Sequence, residues 1–273
     1  MIARTHAVVE AGGVLGALRC EPPLTVRQVR SEEPQVCALC LVGTAAGPLP
    51  ADQLTLELQV RPGARARLGA TGASIAQGRW TPDGRAHTPA RLELRVEIGE
   101  YGWLCADPGP LVVSQGSRVD VHVEIALGAG ATVRWRELVV LGRSRDDHPG
   151  AATIRWDVTR QGHPVLRQYL DLADPQLLAW GGTIAGRRVM ATELIADPQL
   201  SARTVIHSPT AVAQLLADGS VLATVLADDA ADAVRTLDEL CAAVTSVPPA
   251  EAQNQARPGS PASSANTVPS IRP

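Results

Sequence analysis

Apolar and polar side chains alternate strictly over Leu54–Val60, Leu92–Ile98 and Val119–Ile125. A period of two held over seven residues marks a half-buried β-strand. Each run stops at a glycine turn: Arg61-Pro62-Gly63-Ala64, Gly99-Glu100 and Leu127-Gly128-Ala129-Gly130. A second, more apolar segment follows each turn, over Ala66–Ile75, Gly102–Val112 and Ala131–Leu141. The unit of strand, turn and buried strand therefore recurs, its turn glycines Gly63, Gly99 and Gly128 lying 36 and 29 residues apart. One such unit cannot cover its own apolar face, so neighbours must stack. The expected fold is mainly β, with stacked strand repeats forming a sandwich or β-helix-like body. The unequal spacing argues against a strict solenoid.

Further strands are predicted over Val36–Val42, Ala152–Val158, Val165–Leu172, Thr183–Ile195 and Ser220–Leu226. Thr159–Pro164 reads as a hairpin turn. Two short C-terminal helices complete the pattern. Ser208 caps the first, with Pro209 at its opening position, over Thr210–Ala217. The second spans Asp229–Val244, where Ala233, Val234, Leu237, Leu240, Cys241 and Val244 fall at helical spacing. Residues 1–246 read as a single β-rich domain. From Val247 on, Pro, Ser, Ala, Asn and Gln leave almost nothing to bury, so 247–273 reads as a disordered tail.

Composition narrows the function classes. The 25 basic and 28 acidic side chains leave a net charge of −3, which gives no footprint for nucleic acid or an anionic membrane. Every basic residue is Arg, so chemistry that needs a lysine amine is excluded. The first ten residues lack the apolar core of a signal peptide, and no run of apolar residues is long enough to span a bilayer. Five scattered cysteines, Cys20, Cys37, Cys40, Cys105 and Cys241, do not resemble a disulfide framework. The expected compartment is the cytoplasm.

No catalytic centre can be assembled from the motifs. There is no phosphate loop, no Gly-x-Gly-x-x-Gly before a helix, no nucleophile elbow and no histidine pair at metal-binding spacing. Gly69–Ser74 is glycine-rich, but no helical pattern follows it. Cys37 and Cys40 form a CxxC within an apolar strand, where the two side chains point to opposite faces. A structural zinc site needs a second such pair. His148, beside Asp146 and Asp147, reads as part of a solvated loop, with a transient metal ligand as the alternative. Glu137 stands in the apolar strand Trp135–Leu141, Asp107 follows Cys105 in an apolar stretch, and Asp52 opens the first repeat. Acidic groups go inside only when paired or functional, and oxygen ligands suit a first-row divalent ion in passing. A salt bridge or a cap is the plainer account of each.

The ordered set of motifs resembles the UreD (UreH) family of urease accessory proteins. The resemblance rests first on Leu54–Val60, Pro62-Gly63-Ala64 and Leu68–Ser74. It continues through Gln115-Gly116-Ser117-Arg118, Leu127-Gly128-Ala129, Arg134-Trp135-Arg136-Glu137 and Leu141-Gly142-Arg143. Trp156-Asp157-Val158, Gly162-His163-Pro164 and the C-terminal helix extend it, so that it covers about residues 15 to 244. The sequence departs from the family pattern at Gly47–Asp52, Ser74–Ala76 and Asp107–Pro110. The resemblance implies a non-enzymatic chaperone needed for insertion of nickel into apo-urease. It implies the partners UreF, UreG and the urease subunits, with nickel bound only in transit. It also implies that Asp52, Asp107 and Glu137 keep part of an acidic tunnel lining and that Arg143 is a structural or docking residue. The alternative is a β-rich protein-binding module with no metal role. A hydrolase on a β-sandwich would need a clustered nucleophile and base that the chain does not show.

Overall fold

The computed structural model describes residues 1–78 and 88–245. The expected 247–273 tail lies outside the described residues. Among the described residues eighteen strands and two helices follow in order. The first nine strands are β1 (Ile2–Glu10), β2 (Val14–Arg19), β3 (Leu24–Val29), β4 (Cys37–Gly43), β5 (Gln53–Val60), β6 (Arg65–Ala70), β7 (Ser74–Ala76), β8 (Ala90–Ile98) and β9 (Trp103–Ala106). Next come β10 (Pro110–Val113), β11 (Arg118–Leu127), β12 (Thr132–Leu141), β13 (Ala151–Arg160), β14 (His163–Leu172) and α1 (Pro175–Ala179). The chain closes with β15 (Val189–Ala196), β16 (Val205–Ser208), β17 (Ala211–Leu215), β18 (Val221–Ala227) and α2 (Ala230–Thr245).

The period-two runs become neighbours in a seven-stranded sheet of order β14-β13-β11-β8-β5-β1-β2, in which β1, β5, β8, β11 and β13 are parallel. The segments after the turns enter an eleven-stranded sheet. Its main path runs β16-β17-β18-β15-β12-β9-β6-β4-β3, and β12, β9, β6 and β4 are parallel. The chain thus winds from one sheet to the other and back, stacking each repeat on the last. The two sheets pack face to face over one core that includes Leu56, Leu58, Ile98, Leu104, Trp135 and Trp156.

The register shows how unequal repeats stack. Gln53 pairs with Arg91 and Arg65 with Trp103, both 38 residues on. Val119 pairs with Ala90 and Thr132 with Trp103, both 29 residues apart. The strand–turn–strand part has constant length in each coil, and the return path through β7 or β10 absorbs the difference. The first interval is therefore 38, not the 36 read from the glycines. Gly63 matches Tyr101 and Gly130, which all hold positive φ (67°, 55° and 64°). Gly99 and Gly128 match Arg61 instead, at a position of close approach. A Cβ on Gly128 would lie 2.7 Å from the Glu100 nitrogen, so glycine is required there.

Two expectations are corrected. Residues 210–217 are not helical. Ala211 and Ala213 are buried and alternate with Val212 and Gln214, so the segment pairs as β17 with β18. Pro209 sits in the β16–β17 turn, a position that suits it as well as a helix start does. The second helix of the fold is α1, capped by Asp174, whose side chain accepts from the Gln176 N–H. The strand expected over Thr183–Ile195 begins only at Val189, where all eight positions of β15 are buried. One face of β15 meets the main core, and the other faces α2 through Ala191, Ile195, Leu237 and Leu240. No helix among the described residues is long and apolar enough to cross a membrane.

Candidate functional site

β12 alternates two chemistries. Arg134 and Arg136 point out of the sandwich, while Trp135, Glu137 and Val139 are buried. Glu137 is the only acidic residue of the described chain that lines a partly open cavity between the sheets, which measures about 60 Å³. Its wall is apolar, formed by residues such as Leu24, Leu54, Leu94, Leu111 and Val121. Trp156, from β13 of the opposite sheet, donates its Nε1–H to Glu137 Oε2 at 3.0 Å. No cation pairs with Glu137 among the described residues. Burial therefore pushes its carboxyl up to about 7, against the opposing pull of the Trp156 hydrogen bond. The neighbouring indole N–H of Trp135 is buried with no hydrogen-bond partner among the described residues.

The other expected acids bear on the same cavity through loops. Asp52 is buried and already engaged. Its Oδ1 accepts from the Met1 ammonium at 2.8 Å, and its Oδ2 accepts from the Leu49 N–H at 2.9 Å. It thereby fastens the loop whose Gly47 and Pro48 line the cavity. Asp107 is exposed, and its Oδ1 accepts from the Gly109 N–H at 3.1 Å. The turn it closes supplies Pro108, Gly109 and Pro110 to the cavity wall. Gly109 holds φ +83°, and a Cβ there would strike Ala70, so this turn needs glycine. Among the described residues only Glu137 presents a carboxylate to the cavity, while Asp52 and Asp107 shape its loops.

Arg143 lies in the loop after β12, away from these residues. Its guanidinium is bonded to Asp146, and its carbonyl accepts from Arg188 Nη2 at 2.7 Å. The backbone N–H of Arg143, with that of Gln115 and the Arg143 guanidinium, draws Asp146 down to about 2. His148 is exposed in the same loop. Among the described residues, no group of three or more His, Cys, Asp or Glu is placed to hold a metal ion. Cys37 is buried and Cys40 half-buried, on opposite faces of β4.

Sequence reasoning did not single out Glu193. It sits on β15, 2% exposed; its Oε1 accepts from Nε and Nη2 of Arg134 and its Oε2 from Nε and Nη2 of Arg136. Arg136 also reaches Asp238 of α2 at 2.6 Å, tying the helix to the sheet. A lone acid inside the apolar run Val189–Ala196 was the available signal.

Comparison with known proteins adds a consistent finding. A family model described as "UreD urease accessory protein" matches residues 4–258. A protein of Saccharopolyspora erythraea named "Urease accessory protein UreD 1" is 34% identical over 248 residues, covering 86% of this chain and 91% of its own length. "Urease accessory protein UreD 3" of Streptomyces griseus is 32% identical, covering 84% and 89%. "Urease accessory protein UreD" of Streptomyces avermitilis is 32% identical, covering 84% and 90%.

Proposed function

This chain belongs to the UreD urease accessory protein family, and from that membership we propose that it serves urease maturation by passing nickel to the apo-enzyme. The observation that carries the nickel reading is Glu137. A carboxylate is costly to bury without a cation. Here one stands at an interior cavity, held by a single indole N–H. Such a group offers a weak, exchangeable oxygen ligand to a divalent ion in transit. Arrival of the cation favours the ionised form, so the proton that Glu137 holds near neutral pH is released as the ion enters. Trp156 keeps the carboxylate aimed during that exchange.

In this reading Asp52 and Asp107 act as positioning residues for the loops along the route, and Arg143 holds the β12 exit loop in shape. UreF and UreG are the expected accessory partners, apo-urease is the recipient, and the cytoplasm is the place of action. The chain itself forms and breaks no covalent bond. The test is co-expression of urease and the other accessory proteins with and without this chain. Loss of both urea hydrolysis and urease-bound nickel on omission is expected. Full nickel loading without it would overturn the proposal and favour a binding module with no metal role.

A further inference from the structure

The outer face of the eleven-stranded sheet has two halves. α2 covers β15, β17 and β18, whose outward residues are apolar apart from the ion-paired Glu193. The other half, over β3, β4, β6 and β9, has no helix above it among the described residues. Small side chains make its floor: Ala38 and Cys40 on β4, Gly69 on β6 and Cys105 on β9. No heavy atom lies within 4 Å of a Cβ built on Gly69, so the space above is open. Arginines rise around this floor. Arg65 and Arg67 lie over the Trp103 ring with guanidinium carbons 4.5 and 5.3 Å from its centroid. Arg27 is exposed on β3, where it pairs in register with Cys40, as Cys40 does with Gly69.

The charge balance on this half is unequal. Arg67 is paired with Glu33, and Asp107 at the rim is turned to the Gly109 N–H. Arg27 and Arg65 have no carboxylate within ion-pair distance among the described residues. The stacking on Trp103 holds Arg65 in place, so less freedom is lost when it binds a carboxylate. The chain's own C-terminal stretch is a poor occupant, because 247–273 carries Glu251 against Arg257 and Arg272. Nucleic acid fits less well too. Among the described residues the only aromatic ring of this half already carries guanidinium stacks, and the chain is acidic overall.

We infer that this basic half-face is a docking surface for an acidic, carboxylate-rich segment of a partner protein. The segment lies along the small-residue floor with its carboxylates on Arg27 and Arg65. The inference does not rest on the maturation reading, and its test needs neither urease nor nickel.

The full chain is titrated into a fluorescein-labelled peptide of alternating glutamate and alanine, with anisotropy as the readout. A matching glutamine peptide and a single-stranded oligothymidine serve as competing probes. The acidic peptide is expected to bind, and more weakly as salt rises. Arg65→Glu is expected to weaken it about tenfold and Arg27→Glu about threefold, as losses of charge-assisted contacts. Arg118→Glu, on the other sheet, is expected to change it less than about twofold. Should Arg65→Glu fail to fold, Arg65→Lys keeps the charge without the planar fork and is expected to cost about threefold. Equal binding by the Arg65 and Arg27 variants, or equal binding of the glutamine peptide, would overturn the inference. So would tighter binding of the oligothymidine. Self-association of the unliganded chain that Arg65→Glu abolishes would also overturn it, by making a second copy the occupant.

Discussion

Two glutamates lie almost back to back on neighbouring strands of one sheet. Glu193 on β15 pairs across the ladder with Arg136, and Glu137 on β12 pairs with Thr192. Both are buried, at 2% and 8% exposure. Glu193 points outward under α2 and is met by two guanidiniums. Glu137 points inward and is met by one indole N–H and a cavity. The first is the arrangement by which a fold tolerates a buried charge. The second leaves the charge uncompensated, which a fold keeps at its own expense. The difference sets a buried charge that the fold compensates beside one that it does not.

The comparison can be broken by removing each acid in turn. Glu193→Ala leaves two arginines facing an apolar helix seat and is expected to cost about 3–5 kcal/mol, read as a fall in denaturation midpoint. A loss under about 1 kcal/mol would show that α2 is held by apolar packing alone. Glu137→Gln is expected to act with the opposite sign. The Glu137 carboxyl titrates at about 7 in the folded chain against 4.5 as a free group. Between those values the native state holds a proton that the unfolded chain has released, so stability falls as pH rises through that window. The glutamine variant escapes this loss. It should be more stable than the parent by up to about 3 kcal/mol above pH ~8 and equal to it near pH ~4. Identical pH profiles would mean that a cation or water already compensates the carboxylate.

Smaller effects sharpen the contrast. Asp52→Asn weakens the ion pair with the Met1 ammonium while keeping an acceptor for Leu49, and is expected to cost about 1 kcal/mol. Asp238→Ala removes the exposed end of the arginine network, where Glu193 still holds Arg136. It should cost no more than about 0.5 kcal/mol in thermal melts. A large loss there would place the helix anchor at Asp238 and not at Glu193.

Much of the fold was legible because the strands of the first three repeats expose one face and bury the other. Leu54–Val60, Leu92–Ile98 and Val119–Ile125 all lie within strands in the expected alternation. The repeat interval misled because glycine serves two purposes in these turns. Gly63 supplies positive φ, whereas Gly99 and Gly128 allow close approach. Tyr101 takes the left-handed position that sequence reading reserves for glycine. The alanines of 211–217 were misread because alanine suits a helix and a tightly covered strand equally. At the site, Glu137 stood out as a lone acid in an apolar strand. Glu193 did not, because its arginine partners lie 57 and 59 residues away along the chain. Asp107 looked buried from its apolar neighbours, but the turn at Gly109 brings it to the surface.

The central claim is that Glu137 acts on nickel and not on the fold. Its most direct test is the nickel content of urease purified after co-expression with the Glu137→Gln chain and all other accessory proteins. Level and melting temperature of the variant chain are measured alongside. The account predicts a folded chain, at least as stable as the parent at neutral pH, and urease with severalfold less nickel. Full nickel loading by a folded Glu137→Gln chain would contradict it.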